Sequence, residues 1–295
     1  MSLINFRNAH FSLDSNEGLR RFQAGELAEN DEEWHRLVPK SALEVFDKQE
    51  VQRQSVIFEI IKSERDYVKD LELVRDVFVD PLLNTHPIPP PRMRGYVAEV
   101  FYNLDEILVY HRQMLDKLFE LQRDQHPLIT NFASIVLDSE CFVMSQRCCC
   151  PMISLIASLA FRTAYEQYIK HYPLSEAYHR KELRRNTKYQ YFLSQCSQDP
   201  RIRKRDLITF LSRPVTRLPR LLLLLTTTKK HTPVDHTDQE TLSILITLLG
   251  DFIKSTQPGI EAAEGKVKFW ELCESLSYQK GEIIVRIISL FCPRA

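Results

Sequence analysis

The sequence predicts an all-α protein, an elongated bundle of about six long helices. Only 7 of the 295 residues are glycine. This is well below the roughly 7% average usage, so the chain lacks the turn residues that a sheet with many hairpins needs. Apolar residues recur at three- and four-residue spacing over long stretches, whereas no alternating run is long enough to predict a strand. Prolines stand where most of the periodic stretches end, which is typical of helices joined by short loops.

The predicted helices follow one another from residue 51 onwards. Residues 1–48 show no sustained period and are expected to form an irregular arm or a pair of short helices. The first long helix then extends from Val51 to Pro81 and is followed by the proline-rich stretch 86–91. The further helices are predicted at residues 97–118, 127–147, 153–172, 175–196, 205–231 and 238–270.

The bulk properties exclude several classes of protein. The 39 basic and 39 acidic side chains balance, so any electrostatic function has to be local. No apolar run approaches the ~18 residues of a membrane span, and the first ten residues lack the apolar core of a signal peptide. The seven cysteines have no paired spacing and are interpreted as reduced thiols of a cytoplasmic protein. A metal site joining Cys141 to Cys148, Cys149 and Cys150 is the weaker alternative, since no Cys-x-x-Cys pair accompanies it.

The first long helix carries a carboxylate in an unusual place. On a helical wheel, Glu64 lies at the centre of the apolar stripe formed by Ile57, Ile61, Val68 and Leu71. A carboxylate there is costly unless it is paired. One interpretation is structural, with Glu64 either in an ion pair inside the bundle or at a helix edge where it reaches solvent. The other is that Glu64 awaits hydrogen-bond donors on a partner protein.

The stretch that begins at Arg205 is the second unusual feature. An apolar face and a basic face run side by side at helical spacing, and Pro214 and Pro219 interrupt both. The polar face consists of Arg213, Thr216, Arg217 and Arg220. A basic stripe on a helix is usually a solvated face. The two prolines, however, make this an expensive way to build an ordinary amphipathic helix, because each removes a backbone donor.

Three stretches in this order resemble the signature blocks of the Dbl homology fold. They are SVIFEIIKSERDYVKDLELV, FRTAYEQYIKHYPLSEAYHRKELRRN and ITFLSRPVTRLPRLLLLL. The resemblance spans residues 50 to about 278, and the flanks EEWHRLVPKSALEVFDKQEVQRQ and DFIKSTQPGIEAAEGKVKFWELCESLSYQKGEI look most like fungal Rho exchange factors of the cell-wall-integrity pathway. The implied organisation is an arm at 1–48, a Dbl homology (RhoGEF) domain at 49–278 and a short tail at 279–295. The tail is too short for the pleckstrin homology domain that usually follows.

The resemblance implies a guanine-nucleotide exchange factor for a Rho-family small GTPase, acting without covalent chemistry, catalytic residues, cofactor or metal. Its GTPase-binding residues are expected at Glu64, Thr216, Arg217, Arg220 and Gln257. Glu64 corresponds to the acidic residue that engages switch I, and Arg220 to the basic residue that supports switch II. Gln257 stands where the family usually has asparagine, and Thr216 where glutamine is common.

Two other functions compete with exchange at this point. A helical scaffold that has kept the fold and lost exchange would bind partners through the same grooves. Membrane or nucleic-acid binding through the basic residues between Arg180 and Lys188 and those at 201–205 is disfavoured, because a solvated face is the default for such a run. No nucleic-acid partner is therefore expected. Peripheral recruitment to the plasma membrane through other domains or proteins is compatible with the resemblance.

Overall fold

The computed structural model describes residues 13–133 and 159–275, and these residues form helices without any strand. The predicted all-α class is confirmed. The α-helices are α1 (Leu13–Ala24), α2 (Trp34–Leu37), α3 (Lys40–Leu43), α4 (Lys48–Leu73), α5 (Asp80–Thr85), α6 (Pro90–Val100), α7 (Leu104–Gln125), α8 (Leu159–Arg185), α9 (Thr187–Cys196), α10 (Leu207–Leu211), α11 (Arg213–His231) and α12 (Asp238–Ser275). A π-helical segment, Val74–Val79, joins α4 to α5, and short 3-10 turns occupy Glu29–Asp31 and Pro200–Ile202.

Side-chain caps define where several of these helices begin. The carboxylate of Asp47 accepts the backbone N–H of Glu50 at 2.7 Å in the first turn of α4. Asn186 caps α9 by accepting two backbone N–H groups, and Asp206 caps α10 by accepting one. Pro90 is the first residue of α6, a position whose N–H needs no intrahelical partner. These caps satisfy donors that would otherwise be left unpaired at the helix ends.

The helix predicted at residues 97–118 is in fact two helices, α6 and α7, separated at residues 101–103. Tyr102 adopts a left-handed backbone conformation there, with φ of 46°. The side-chain amide of Asn103 donates to the carbonyl of Ala164 at 3.0 Å, which anchors the break. The apolar period continues across the break, and for this reason the sequence does not reveal it.

A predicted break at Pro173 is wrong, because α8 continues through this residue. His171 Nε2 and Ser175 Oγ each donate to the carbonyl of Glu99 at 2.9 Å, one on either side of the proline. These two contacts attach α8 to α6 on both sides of the proline, which removes one backbone donor from the helix. The sequence shows the proline but not the neighbouring helix that supplies the acceptor.

Other predicted bounds need smaller corrections. The helix predicted from residue 127 is absent at residues 127–132, and the rest of that stretch lies outside the described residues. The stretch 205–231 is interrupted at Ser212, between α10 and α11. Pro214 stands in the first turn of α11, as expected, while Pro219 lies inside this helix. Helix α12 extends to Ser275, past the predicted end at residue 270.

The chain divides into two compact units. The first comprises residues 1–66, 110–158 and 220–249, and the second comprises residues 67–109, 159–219 and 250–295. None of the described helices is long and apolar enough to span a lipid bilayer.

The first unit is held by a buried ion pair as well as by apolar packing. Arg53 on α4 donates to the carboxylate of Asp238 on α12 at 2.8 Å, and both side chains are at least 95% buried. The same guanidinium donates to the carbonyls of Ile129 and Thr130. Phe22 of α1 packs against Phe58 of α4 with ring centroids 4.5 Å apart. The segment after α7 and the N-terminal helix are therefore both attached to α4.

The second unit combines aromatic packing with buried hydroxyl contacts. The hydroxyls of Tyr67 and Tyr165 lie 3.1 Å apart, and Tyr168 donates to the carbonyl of Leu211 at 2.8 Å. Phe78 of the π-helical segment packs on Phe210 of α10 at 5.7 Å. Tyrosines pack like phenylalanines when their hydroxyls find partners, and these do.

Candidate functional site

Glu64 is sealed inside the first unit. Its side chain is fully buried, and its carboxylate lies 2.5 Å from Nδ1 of His111 on α7, which is also fully buried. Of the two interpretations of Glu64, the structure therefore matches the internal pair. The exposed position that the family resemblance implies for Glu64 is not observed, because α7 supplies its partner from within the protein.

A different carboxylate on the same helix is exposed. Glu59 lies on α4, and its Oε1 accepts a hydrogen bond from the guanidinium of Arg220 on α11 at 2.9 Å. The side chains of Glu59 and Arg220 are 42% and 52% exposed. Glu59 belongs to the first signature block and Arg220 to the third, and the two blocks meet at this pair. The expected exposure of Arg220 is thus observed, and its carboxylate partner within the protein is Glu59.

The sequence pattern does not single out Glu59 as the partner of Arg220. Glu59 lies off the apolar stripe, between Phe58 and Ile60, and an acidic residue at such an edge is ordinary. The sequence signal for the pair is that the two blocks carry opposite charges at the edges of their apolar stripes. The first block offers an edge carboxylate and the third block an edge guanidinium, 161 positions apart in sequence.

The basic face of α11 is largely satisfied within the protein. Arg213 lies 2.8 Å from the carboxylate of Asp70, which also accepts two hydrogen bonds from Arg205. Arg217 is 4% exposed, and its guanidinium lies over the ring of Tyr67 at 5.4 Å from the centroid. Arg217 is therefore not placed for direct contact with a partner, contrary to expectation. A helical wheel assigns it to the polar face but does not show the aromatic ring that covers it.

Thr216 and Gln257 are both exposed, as a binding role requires. The hydroxyl of Thr216 is used locally, since it donates to backbone carbonyls of its own helix. The side-chain amide of Gln257 donates to Glu261 one turn later at 3.2 Å. Both belong to the second unit, whereas Glu59 and Arg220 belong to the first.

The structure does not describe the cysteines of the alternative metal site. Cys141, Cys148, Cys149 and Cys150 lie outside the described residues. Within the described ranges, no group of three or more His, Cys, Asp or Glu side chains is arranged to hold a metal ion.

Comparison with known proteins places these residues in a family. The model of the RhoGEF domain matches residues 56–257, a range that includes Glu59 and Arg220. Rho1 guanine nucleotide exchange factor 2 of Schizosaccharomyces pombe is 27% identical over 259 residues, which cover 85% of this chain and 20% of that protein. Rho1 guanine nucleotide exchange factor 3 of the same organism is 30% identical over 235 residues, covering 79% of this chain and 17% of that protein. The chain thus spans a fifth or less of the length of these relatives.

Solved structures agree on the fold. The chain is similar to the DH/PH fragment of PDZRHOGEF crystallised in complex with human RhoA, with a TM-score of 0.67 and 19% identity over 80% of this chain and 61% of that one. It is also similar to the DH domain of FARP2, with a TM-score of 0.56 and 20% identity over 78% of this chain and 100% of that one. The matched range covers more than half of the sequence and includes all of the second and third signature blocks and all but the first residue of the first. The chain belongs to the RhoGEF domain family.

Proposed function

We propose that residues 49–278 form an exchange domain that promotes GDP release from a Rho-family small GTPase. The observation that carries this proposal is the exposed ion pair between Glu59 and Arg220, within the range that the family model matches. Relatives named as Rho1 guanine nucleotide exchange factors, and a similar fold solved in complex with RhoA, support the same partner class.

The pair suits a binding role because breaking it costs little. An exposed ion pair contributes only about 0–1 kcal/mol to stability, since water solvates both charges when they separate. Glu59 can therefore exchange its contact with Arg220 for donors on a switch loop, and Arg220 can turn to acceptors on the partner. Glu64 lacks this freedom, because its removal from His111 would leave a carboxylate in a fully buried site.

Thr216 and Gln257 are proposed as further contacts with the same partner. Both side chains are exposed. The hydroxyl of Thr216 and the amide of Gln257 can each exchange a hydrogen bond within the helix for one to the partner. Arg217 is proposed to act indirectly. Its buried guanidinium packs on Tyr67 and stiffens the α11 segment that precedes Arg220.

Exchange by such a surface is a matter of differential affinity. A GTPase holds its nucleotide partly through ordered switch loops and magnesium, so a protein that binds the nucleotide-free form better accelerates release. A protein that binds both forms equally would change nothing, however tightly it bound. The proposed mechanism requires no covalent bond to form or break, and it requires no cofactor on the exchange factor.

Nucleotide release provides the direct test. A Rho1-type GTPase loaded with fluorescent GDP is mixed with the purified chain and excess unlabelled nucleotide, and the decay of fluorescence is followed. We expect release to accelerate in proportion to chain concentration. Unchanged release over the whole concentration range, in a sample whose helical circular dichroism is intact, would refute the exchange function.

The same samples distinguish exchange from a scaffold role. A scaffold of this fold would bind the GTPase without preferring its nucleotide-free form. Titration calorimetry against nucleotide-free and GDP-loaded GTPase compares the two affinities. Equal affinities together with unchanged release would establish the scaffold, whereas a marked preference for the nucleotide-free form supports exchange.

A further inference from the structure

A basic groove lies in the second unit, between the proline-rich stretch 86–91 and the junction of α8 with α9. Its volume is about 870 Å³. The charged residues that line it are Arg92, Lys181, Arg185 and Lys188, and no described lining residue is acidic. This volume falls in the roughly 300–1,000 Å³ range typical of small-molecule sites. The groove is thus large enough for a ligand of several functional groups.

Two of the arginines are held in place by one buried carboxylate. Glu182 has a side chain 2% exposed and accepts hydrogen bonds from Arg92 at 2.9 Å and from Arg185 at 3.0 Å. These arginines, with the side-chain amide of Asn186, hold the pKa of Glu182 below its usual value although burial opposes them. Glu182 supplies one negative charge to two guanidiniums, so the net charge of the three side chains is +1. The carboxylate therefore orients both arginines without neutralising them.

The lysines contribute differently. Lys181 lies over the ring of Trp270, 4.2 Å from its centroid, and forms an ion pair with Glu274, so its charge is matched. Lys188 is exposed, and the structure shows no ion pair for it within the described residues. Arg92 and Arg185 share the one carboxylate of Glu182, and Lys188 adds a further positive charge. Three cations and one carboxylate leave two positive charges at the groove.

The walls of the groove are fixed before any ligand arrives. The amide of Asn186 donates both to the carbonyl of Pro87 at 3.0 Å and to Glu182 at 2.7 Å. This links the proline-rich stretch to the start of α9, while the Arg92–Glu182 pair links α6 to α8. Helix α9 also begins at this wall, and the N-terminal end of a ten-residue helix adds partial positive charge. A preformed site loses little entropy when it binds.

We propose that this groove binds a compact, multiply phosphorylated anion of the inositol phosphate type. Guanidinium groups match phosphate oxygens in geometry, and charge-assisted bonds to phosphate are among the strongest that a protein surface makes. The spread of Arg92, Arg185 and Lys188 around one space of this volume suits two or more phosphates on one small ring. Single-stranded nucleic acid is a poorer match, because no Phe, Tyr or Trp lines the groove for bases to stack on.

Titration calorimetry of the full chain with inositol hexakisphosphate tests the site. We expect one binding event per chain, weakened about ten-fold or more in Lys188→Ala and in Arg185→Ala, as expected for the loss of a hydrogen bond to a charged group. Arg180→Ala is the matched control. Like Arg185→Ala, it removes one positive charge from α8. Arg180, however, is 62% exposed, pairs with Glu176 and does not line the groove.

A second arm identifies where the phosphate groups come from. Phosphatidylcholine vesicles with and without phosphatidylinositol bisphosphate are sedimented with the chain. Sedimentation that depends on the phosphorylated lipid and on Lys188 indicates a headgroup, whereas calorimetric binding without sedimentation indicates a free anion. Both outcomes support the site. No binding in either arm, several equivalent anions per chain, or an equal loss in Arg180→Ala would overturn it.

This outcome is independent of exchange. A chain that accelerates nucleotide release but binds neither probe retains the proposed function and lacks the anion site. A chain that binds one of the probes but leaves nucleotide release unchanged has the anion site and lacks the proposed exchange function.

Discussion

The guanidinium of Arg220 lies 2.9 Å from the carboxylate of Glu59, and this pair joins the first and third signature blocks. Both side chains remain about half exposed. An exposed pair adds little to folding stability, and the role that we propose for this one is contact with a partner. Stability and activity should therefore respond differently to its removal.

We expect Glu59→Ala and Arg220→Ala each to reduce nucleotide exchange about ten-fold or more, the order expected for losing a charged contact that strengthens in the nucleotide-free complex. Thermal melting should change little, because neither side chain is buried. Fluorescent nucleotide release and circular dichroism measure the two effects. Lys230→Ala, which removes an exposed charge from the same helix, is the control and should retain exchange.

A charge swap gives a stricter test of the same pair. Glu59→Arg combined with Arg220→Glu can rebuild the internal ion pair while presenting the wrong charges to a partner. Exchange should remain lost in the double variant although the pair is restored. Recovery of exchange would mean that the pair acts only by holding the two helices together.

Glu64 should behave in the opposite way. We expect Glu64→Ala to lower the free energy of unfolding by about 3 kcal/mol, because it leaves His111 without its carboxylate in a fully buried site. Glu64→Gln keeps the volume and one acceptor and should cost less. Urea denaturation measures both variants. A Glu64→Ala protein that unfolds like the wild type but has lost exchange would contradict the burial argument and return this carboxylate to the binding surface.

Apolar period predicted the all-α class and most of the long helices, because it is a local property, whereas proline position did not predict that α8 continues through Pro173. The same period also placed Glu64 within the apolar stripe, so an internal pair was one of its interpretations. The identity of its partner could not be predicted, because the wheel of α4 shows a face but not the neighbour that presents His111. Arg217 shows the same limit, as its burial depends on Tyr67 of a different helix. Only the structure shows that Glu64 and Arg217 are buried. It likewise shows that Glu59 and Arg220 are exposed.

The buried pair of Arg53 and Asp238 should dominate the stability of the first unit. Both side chains are at least 95% buried, and Asp238 also accepts the backbone N–H groups of Phe132 and Ala133. We expect Arg53→Met to cost about 3–5 kcal/mol, because it leaves the buried carboxylate of Asp238 without its guanidinium. Asp238→Asn should cost less, because Arg53 keeps its ion pair with Glu50 at 3.1 Å. Equilibrium denaturation is the measurement.

A double variant separates the pair from its surroundings. Arg53→Met with Asp238→Asn removes both charges, so its cost should be clearly less than the sum of the single variants. Strict additivity would show that the two side chains stabilise the unit independently, through their separate backbone contacts.

His179 introduces a dependence of stability on pH. The pKa of His179 is lowered to about 4, mainly because the side chain is buried. The carboxylate of Asp206 opposes this shift, and the positive charge of Arg180 adds to it. The ring is thus neutral in the folded protein, and its Nδ1 lies 2.9 Å from the hydroxyl of Tyr189, which itself accepts a hydrogen bond from Tyr96. A neutral imidazole nitrogen can accept the Tyr189 proton, whereas a protonated one cannot.

The direction of the pH effect follows from comparison with the unfolded chain. There His179 titrates near 6.5, so between this pH and about 4 the unfolded chain binds a proton that the folded chain does not. The contribution is fully present above pH 6.5 and declines as the pH falls towards 4, by up to about 3 kcal/mol. His179→Asn retains an acceptor for Tyr189 without titrating. Its unfolding free energy should therefore vary less with pH across this window. Equal slopes in the wild type and His179→Asn would show that other groups carry the pH dependence.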